Sequence, residues 1–372
     1  MRILIISIIV ILLYACGTPK GQVLTSAPLI EKPVKPKIAK NVIFLIGDGM
    51  GVGQITAGTY ANGNKTSLER FSVIGLHKPY SHNSLITDSA AAATSFACGV
   101  KTFNGAIGVD NDTLPVRTLL EEAEAYNMPT GLVASSTIVH ATPASFIAHN
   151  VSRKNYEEIA ADFLKTDIDY FVGGGKKYFD RRTDERDLVT ELTTKGYAMG
   201  NFLEDFSTYK SKNNTANKIG YLTSDSDPLP VAQGRDYLID ASMHGIEFLD
   251  NKSTGGFFIM IESSQIDWGG HSNDEDYIIS EFLEFDKLIG QVLDWAAKDG
   301  ETLVVLTADH ETGGFTIQPG STMDSLVTTF TSTKHSGDFI PVFADGPCAE
   351  KFSGLYENTD IYHRIREAYG WE

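Results

Sequence analysis

The chain is poor in cysteine, in positive charge and in long apolar runs, and each shortage excludes a class of protein. Three cysteines in 372 residues are too few to build a disulfide framework. Lys and Arg number 31 against 48 Asp and Glu, a formal net charge of −17, which argues against a nucleic-acid binder, since that function needs a basic footprint. The apolar run from Ile3 to Leu13 is too short to cross a bilayer as a helix. There is no internal repeat, and no Gly-x-Ser-x-Gly elbow of the kind that carries a serine nucleophile in α/β hydrolases. What is present is ordinary core-forming material: 42% hydrophobic and 10% aromatic residues, enough for a folded globular body. At this length an α/β chain can fold as one unit around one large sheet.

Residues 1–16 combine a charged start at Arg2, the apolar run, and Tyr14-Ala15-Cys16, the pattern of an export signal. Leu13-Tyr14-Ala15-Cys16 resembles a bacterial lipobox, in which the cysteine becomes the lipidated first residue; the simpler alternative is an ordinary signal peptide cleaved nearby. Residues 17–40 hold Pro19, Pro28, Pro33 and Pro36 with five lysines and one glutamate, a composition expected to form an extended, solvated tether. Residues 1–40 carry six basic groups and one acid, so the −17 of the chain leaves −22 on residues 41–372. Cys98 lies in the small apolar run Ala97-Cys98-Gly99 and reads as a buried thiol.

In the body, Val42–Ile46, Gly131–Ala134, Phe257–Ile261, Leu303–Leu306 and Ile340–Ala344 are short runs rich in β-branched and aromatic residues and read as buried strands. Between them, Pro115–Tyr126 and Glu275–Ala297 read as helices, the second with Ile278, Phe282, Phe285, Leu288, Ile289 and Val292 on one face. Strands alternating with helices predict an α/β fold with a largely parallel sheet. Residues 201–235 are polar and turn-rich and read as a surface insertion.

The unusual polar residues follow the expected strands at once. Val42–Ile46 leads into Gly47-Asp48-Gly49, Phe257–Ile261 into Glu262, and Leu303–Leu306 into Thr307-Ala308-Asp309-His310. In an open α/β sheet, sites are built at the carboxyl ends of strands. Singly, an Asp in a glycine-rich turn is a turn former and a lone His a structural residue; together these residues form an inventory of metal ligands. Asp267 and His271 are four apart with Gly269-Gly270 between them, which would relax the backbone and let both meet one cation. Asp309 and His310 are adjacent and can share an ion only if the chain turns after its strand. Mixed carboxylate and imidazole donors suit zinc, while oxygen donors suit magnesium.

A second constellation is Thr87-Asp88-Ser89-Ala90-Ala91-Ala92-Ala93. The cap signature and the alanines predict a helix starting near Ser89, which places the serine oxygen at the positive end of a helix dipole, a favourable location for an alkoxide or a phosphoryl group. The bland alternative is an N-cap ahead of a packing helix. No histidine adjoins Ser89 in sequence to act as its base, so a nucleophilic Ser89 would need activation by a metal.

These motifs, in this order along residues 41–372, resemble those of the bacterial alkaline phosphatases. The resemblance implies a three-layer α/β/α sandwich with a mostly parallel central sheet, and a site of two zinc ions and one magnesium ion that hydrolyses phosphate monoesters through a covalent phosphoserine. It makes Ser89, in Thr-Asp-Ser-Ala, the nucleophile and a metal ligand, and Arg153, in Val151-Ser152-Arg153-Lys154, the clamp on two phosphate oxygens, a task suited to a planar guanidinium. It assigns Asp48, Thr142 and Glu262 to magnesium, Asp48, Asp309 and His310 to one zinc, and Asp267, His271 and His335 to the other. His140 and Trp268 take substrate-binding positions that vary within the family: enterobacterial members have Asp and Lys there. An imidazole at His140 leaves the third cation open between magnesium and another divalent metal, and Trp268 supplies no ammonium to hold product phosphate.

The resemblance further implies small-molecule phosphate monoesters as partners, with no nucleic-acid-binding partner, membrane association only through an N-terminal lipid, and a homodimer as one possible assembly. Together with the export signal it places the chain outside the cytoplasm, lipid-anchored and facing the periplasm or the cell surface. The expected organisation is therefore a signal peptide over residues 1–16, a tether over 17–40 and a catalytic domain over 41–372. A sulfatase of the same superfamily would need a Cys/Ser-x-Pro-x-Arg context, which Ser89-Ala90-Ala91 does not provide. A phosphodiesterase with the same two-metal core and a catalytically silent lipoprotein are the rival functions. Gly173-Gly174-Gly175-Lys176-Lys177 lacks the hydroxyl residue and spacing of a phosphate loop and reads as a plain loop.

Overall fold

The computed structural model describes residues 38–371 other than Asp324; the expected signal peptide, its lipobox and nearly all of the tether lie outside the described residues. Ten strands build one sheet: β1 (Asn41–Gly47), β2 (Val73–Lys78), β3 (Thr130–Thr137), β4 (Tyr170–Gly174), β5 (Tyr197–Asn201), β6 (Lys218–Leu222), β7 (Phe258–Ser263), β8 (Thr302–Thr307), β9 (Ile340–Asp345) and β10 (Gly354–Glu357). Their order across the sheet is β10-β2-β9-β8-β1-β7-β3-β4-β6-β5. Only β9 runs against its neighbours. All other pairings are parallel.

β1 shows why the sheet must be covered on both sides. All seven of its residues are buried, as expected of a central parallel strand. Because side chains alternate faces, Val42, Phe44 and Ile46 join one core, with Phe96, Leu119, Leu120 and Phe146. Ile43 and Leu45 join another, with Phe282, Phe285, Leu288 and Ile289. Phe44 meets Phe96 and Phe146 edge-on at centroid separations of 5.8 and 6.0 Å. Each such side chain contributes roughly 1.5–3 kcal/mol by leaving water.

The helices that matter for the site are α1 (Val52–Ala61), α2 (Ser89–Cys98), α3 (Leu119–Ala125), α4 (Ala141–Ile147), α5 (Leu238–Lys252), α6 (Gln265–Ser272), α7 (Glu275–Asp299) and α8 (Asp360–Tyr369). Helices α2, α3, α4 and α8 cover one face of the sheet and α1, α5 and α7 the other. The fold is thus an α/β/α sandwich with a mostly parallel central sheet. Ala90 to Ala93 are all buried, and their small side chains let α2 pack closely on α4.

Three expectations need correction. Residues 201–235 are not a surface insertion: β6 lies inside the sheet between β4 and β5, and Ile219 to Leu222 are buried. Its polar flanks mask a strand of five residues. The helix expected from Pro115 starts only at Leu119, because Thr118 and Glu121 form a capping box there, while Pro115 bridges to Val109 in extended backbone. The Gly173–Lys177 segment is not a plain loop either: Gly173 and Gly174 end β4, and Lys177 begins a short helix, Lys177–Asp180. Cys98 and Cys348 are buried.

Candidate active site

Strand register places the acids. In β1, Ile46 pairs with Glu262 of β7 on one side and with Thr307 of β8 on the other. Asp48, Glu262 and Asp309 therefore emerge side by side at the carboxyl edge of the three central strands. The chain turns sharply here: Gly49 has φ +71°, and a Cβ on it would sit 2.6 Å from the Asp267 Cα, so only glycine fits. Its amide donates to Asp309 Oδ1 at 3.1 Å, which also accepts from the His310 amide at 2.9 Å. The turn after β8 brings Asp309 and His310 to one point after all. Asp48, Asp309 and His310 offer donor atoms within 4.8 Å of one another.

Asp267 and His271 meet for a reason different from the one expected. Gly269 and Gly270 do not relax the backbone; they are helical, within α6, and one helical turn aligns residues four apart. His271 Nε2 lies 3.3 Å from Asp267 Oδ2. The glycines instead give room, since a Cβ on Gly269 would strike Ile278 and one on Gly270 would strike Thr312. His335, on a two-residue strand paired with Glu311–Thr312, completes this group, its Nε2 3.2 Å from His271 Nε2 and 3.6 Å from Asp267 Oδ1.

Backbone carbonyls orient the rings. His335 Nδ1 lies 2.8 Å from the Thr87 carbonyl, and His271 Nδ1 2.8 Å from that of Thr333. Both rings thus turn Nε2 inward, the arrangement that prepares imidazole as a ligand. Thr312 Oγ1 bridges Asp267 Oδ1 and His310 Nδ1.

A third group joins Asp48, His140 and Glu262 within 4.8 Å. Thr142 Oγ1 and His140 Nδ1 are both buried without a hydrogen-bond partner, as are both oxygens of Asp48, Glu262 Oε1 and Asp309 Oδ2. Burial raises Asp48 well above the usual carboxylate range, and the charges of Asp309, Asp267 and Glu262 add to the effect. Burial pushes Glu262 up to about 7 and, with the charge of Asp267, Asp309 up to about 6. Asp267 is buried as well, but His271, His310 and His335 outweigh this and hold it below its usual range. Burial keeps His310 neutral, well below its usual value, and burial with the Arg153 charge pushes His140 down to about 3. So many orphaned carboxylate oxygens facing neutral imidazoles are costly unless cations sit between them. The donor set fits divalent metals.

Ser89 is the first residue of α2, as expected, and is 2% exposed. Its Oγ lies 3.4 Å from His310 Nε2. Asp88 caps the helix, Oδ1 accepting from the Ala91 amide at 3.0 Å. Its other oxygen accepts from Arg153 Nη1 at 3.0 Å, and Arg153 Nη2 lies 3.2 Å from His140 Nε2. Trp268, half-buried on α6, meets His140 edge-on at 6.1 Å. A cavity of about 520 Å³ opens over these groups, lined by Ser89, Arg153, His140, Trp268, His271 and Lys334 among others. Asp48, Ser89, His140, Thr142, Arg153, Glu262, Asp267, Trp268, His271, Asp309, His310 and His335 lie together here, whereas Cys98 packs in the core.

Sequence reasoning missed the double use of Asp88, the Thr312 bridge, and the pair Gln54–Glu311. Glu311 accepts from Gln54 Nε2 at 2.9 Å and from the Phe315 amide at 3.0 Å, which fixes the turn that carries Asp309 and His310. Only the Thr-Asp-Ser cap pattern gave a local signal for any of them.

Comparison with known proteins identifies the family. A family model described as alkaline phosphatase matches residues 39–328. Alkaline phosphatase 3 of Bacillus subtilis (strain 168) is 40% identical over 335 residues, 85% of this chain and 71% of that one. The structure of alkaline phosphatase from the Antarctic bacterium TAB5 is 43% identical, with a TM-score of 0.85 over 90% of this chain and 99% of that one. A His-to-Asp mutant of the TAB5 enzyme, with Mg bound in the M3 site, superposes with the same identity, coverage and TM-score. Fold, site and relatives converge: this chain belongs to the alkaline phosphatase family of phosphoric monoester hydrolases.

Proposed function

We propose that the enzyme cleaves phosphate monoesters through a phosphoserine on Ser89 with two zinc ions and a third divalent cation. Asp48, Asp309 and His310 would hold one zinc, with Ser89 Oγ as a further ligand. Asp267, His271 and His335 would hold the other, and Asp48, Thr142 and Glu262 the third ion. The magnesium in the M3 site of the TAB5 His-to-Asp mutant supports magnesium there, while His140, within reach of Asp48 and Glu262, favours a transition ion in this chain. When bound, the cations supply Lewis-acid charge at the serine oxygen, the phosphoryl oxygens and the leaving oxygen.

The chain's own residues do the rest. Ser89 sits at the α2 N-terminus, where the unpaired amides favour negative charge. Its hydroxyl gives its proton to water as Oγ bonds to phosphorus, and the ester oxygen leaves opposite with its electron pair and takes a proton back from water. A second water then attacks the phosphoserine from the vacated side, restoring the serine hydroxyl and releasing phosphate. Arg153 grips two phosphoryl oxygens throughout, its fork held by Asp88. The observation that carries this reading is the position of Ser89, capped by Asp88 and facing His310, which shares donor groups with Asp48 and Asp309 and with Asp267 and His335.

The test is acid quenching after mixing with ³²P-labelled p-nitrophenyl phosphate, followed by mass spectrometry. Label on the peptide containing Ser89, absent in Ser89→Ala, is expected; hydrolysis without any covalent label would sink the phosphoserine step. A higher kcat/KM for bis-p-nitrophenyl phosphate than for the monoester would move the enzyme to the diesterase class. The export signal, lipid attachment at Cys16, tether and catalytic domain from residue 41, and a periplasmic or surface location, remain part of this proposal, as does a homodimer. Labelling of a membrane-fraction protein by a radioactive fatty acid, lost in Cys16→Ser, tests the anchor.

A further inference from the structure

The cavity over Ser89 contains two cations with opposite circumstances. Arg153 is tied to the Asp88 carboxylate, and in the proposed mechanism its fork is used on the phosphoryl group. Lys334 lines the same cavity and is exposed, yet among the described residues no carboxylate pairs with it. Its backbone is held at both ends: the Lys334 amide donates to Ser332 Oγ at 2.9 Å, and its carbonyl accepts from the Gly313 amide at 2.9 Å. The following residue, His335, is pinned to the Thr87 carbonyl. The backbone of the lysine is therefore fixed at the cavity rim while its side chain is exposed.

Position decides which part of a substrate it meets. Ser89 is buried at the base of the cavity, so an ester oxygen leaving in line with its Oγ departs toward the open rim. Asp267, His271 and His335 line the same cavity, His335 stacks on His310 at a centroid separation of 3.4 Å, and Lys334 is the preceding residue in the chain, at the exposed rim. Ile86, Asn104 and Trp268, which also line the cavity, carry no charge, and the Asp88 carboxylate there is taken up by Arg153. Around them lies a body at −22, which repels every additional anion. One unpaired ammonium at the rim, where the leaving group departs, selects where a second negative charge is tolerated.

We infer that Lys334 is a specificity-determining residue favouring monoesters whose leaving group carries a second anionic group close to the scissile bond. The inference rests on the phosphomonoesterase reading above and names the substrate class for that same site. The matched probes are 3-phosphoglycerate, whose leaving group bears a carboxylate, and glycerol 3-phosphate, whose leaving group is neutral and of similar size. In Lys334→Gln the ratio of their kcat/KM values is expected to fall by about two- to fivefold, the size of a solvent-exposed ion pair. Lys334→Glu should lower the ratio further, Lys334→Arg should restore it, and raised salt should compress the difference among all four proteins.

A structural role for Lys334, as the neighbour of His335, would depress both substrates by one factor and leave the ratio unchanged, and zinc content measured on each purified variant would show the loss directly. An unchanged ratio in Lys334→Gln and Lys334→Glu overturns the inference while leaving the phosphomonoesterase reading intact. Failure of the parent enzyme to hydrolyse glycerol 3-phosphate at all, with metals supplied, would overturn both.

Discussion

Asp88 joins Ser89 to Arg153: one carboxylate oxygen caps the helix that begins with the serine, and the other holds the guanidinium at 3.0 Å. The same oxygen that caps the helix also accepts from the Gly105 amide at 3.1 Å. Gly105 in turn accepts from the Arg153 amide, so the group and its backbone form one closed unit.

Removing that carboxylate should therefore have two separable effects. Asp88→Ala is expected to lose about 1 kcal/mol from the helix cap, read by chemical denaturation, and to raise KM several-fold as Arg153 loses its anchor. Asp88→Asn retains an oxygen for the cap, so it should recover most of the stability but not the KM. Equal KM values in all three proteins would separate Asp88 from phosphate binding.

Trp268 lines the cavity over Ser89 and meets His140 edge-on. Trp268→Lys should lower the inhibition constant of inorganic phosphate by about tenfold, in line with one added charged hydrogen bond, and slow turnover wherever product release is limiting. An inhibition constant that stays the same or rises would show that position 268 does not touch the phosphoryl group.

Chelation should destabilise the protein more as pH rises. Glu262 and Asp309, pushed up by burial to about 7 and about 6, hold protons in the metal-free fold that they lack in the unfolded chain, Glu262 between pH 4.5 and 7 and Asp309 between pH 3.8 and 6. Across those windows these two acids make the metal-free fold less stable as pH increases. A cation must displace those protons, so its stabilisation grows with pH. The difference in Tm between metal-loaded and EDTA-treated enzyme is expected to be larger at pH 8 than at pH 6; the reverse order would count against cation binding at these acids.

His77 should govern part of the acid limb of stability. It is buried on β2, its Nε2 2.9 Å from the Ala308 carbonyl and its ring edge-on to Phe96 at 5.4 Å. Burial pushes it down to about 4, so between pH 4 and 6.5 the unfolded chain binds a proton that the fold refuses, and stability falls as pH drops through that window. His77→Gln will be less stable at neutral pH because a packed ring is lost. Its urea midpoint should nevertheless decline less than the parent's between pH 7 and pH 5, and an equal decline would assign the acid sensitivity elsewhere.

Local chemistry was legible where a short stretch of chain decides it. The central strands, the amphipathic α7 and the cap at Ser89 all follow from patterns of a few residues, and β1, β7, β8, β9 and α7 fall within two residues of expectation, while β3 runs three residues further. β6 was not legible because its five residues sit between polar turns and gain their burial only from β4 and β5 on either side. The two glycines after Asp267 misled for a related reason. Glycine reads as loose backbone, whereas here the missing side chains make room for Ile278 and Thr312.

The sequence by itself determined which chemistry is possible, because parallel strands deliver whatever follows them to one edge of the sheet, and acids and histidines follow β1, β7 and β8. Which of those groups share a cation, which rings present Nε2, and how Asp88 divides its two oxygens were decided only by tertiary structure. Those contacts join residues as far apart as Thr87 and His335, 248 positions in the chain. Such pairings depend on strand order and helix packing, which local propensity does not encode and which the whole hydrophobic core sets at once.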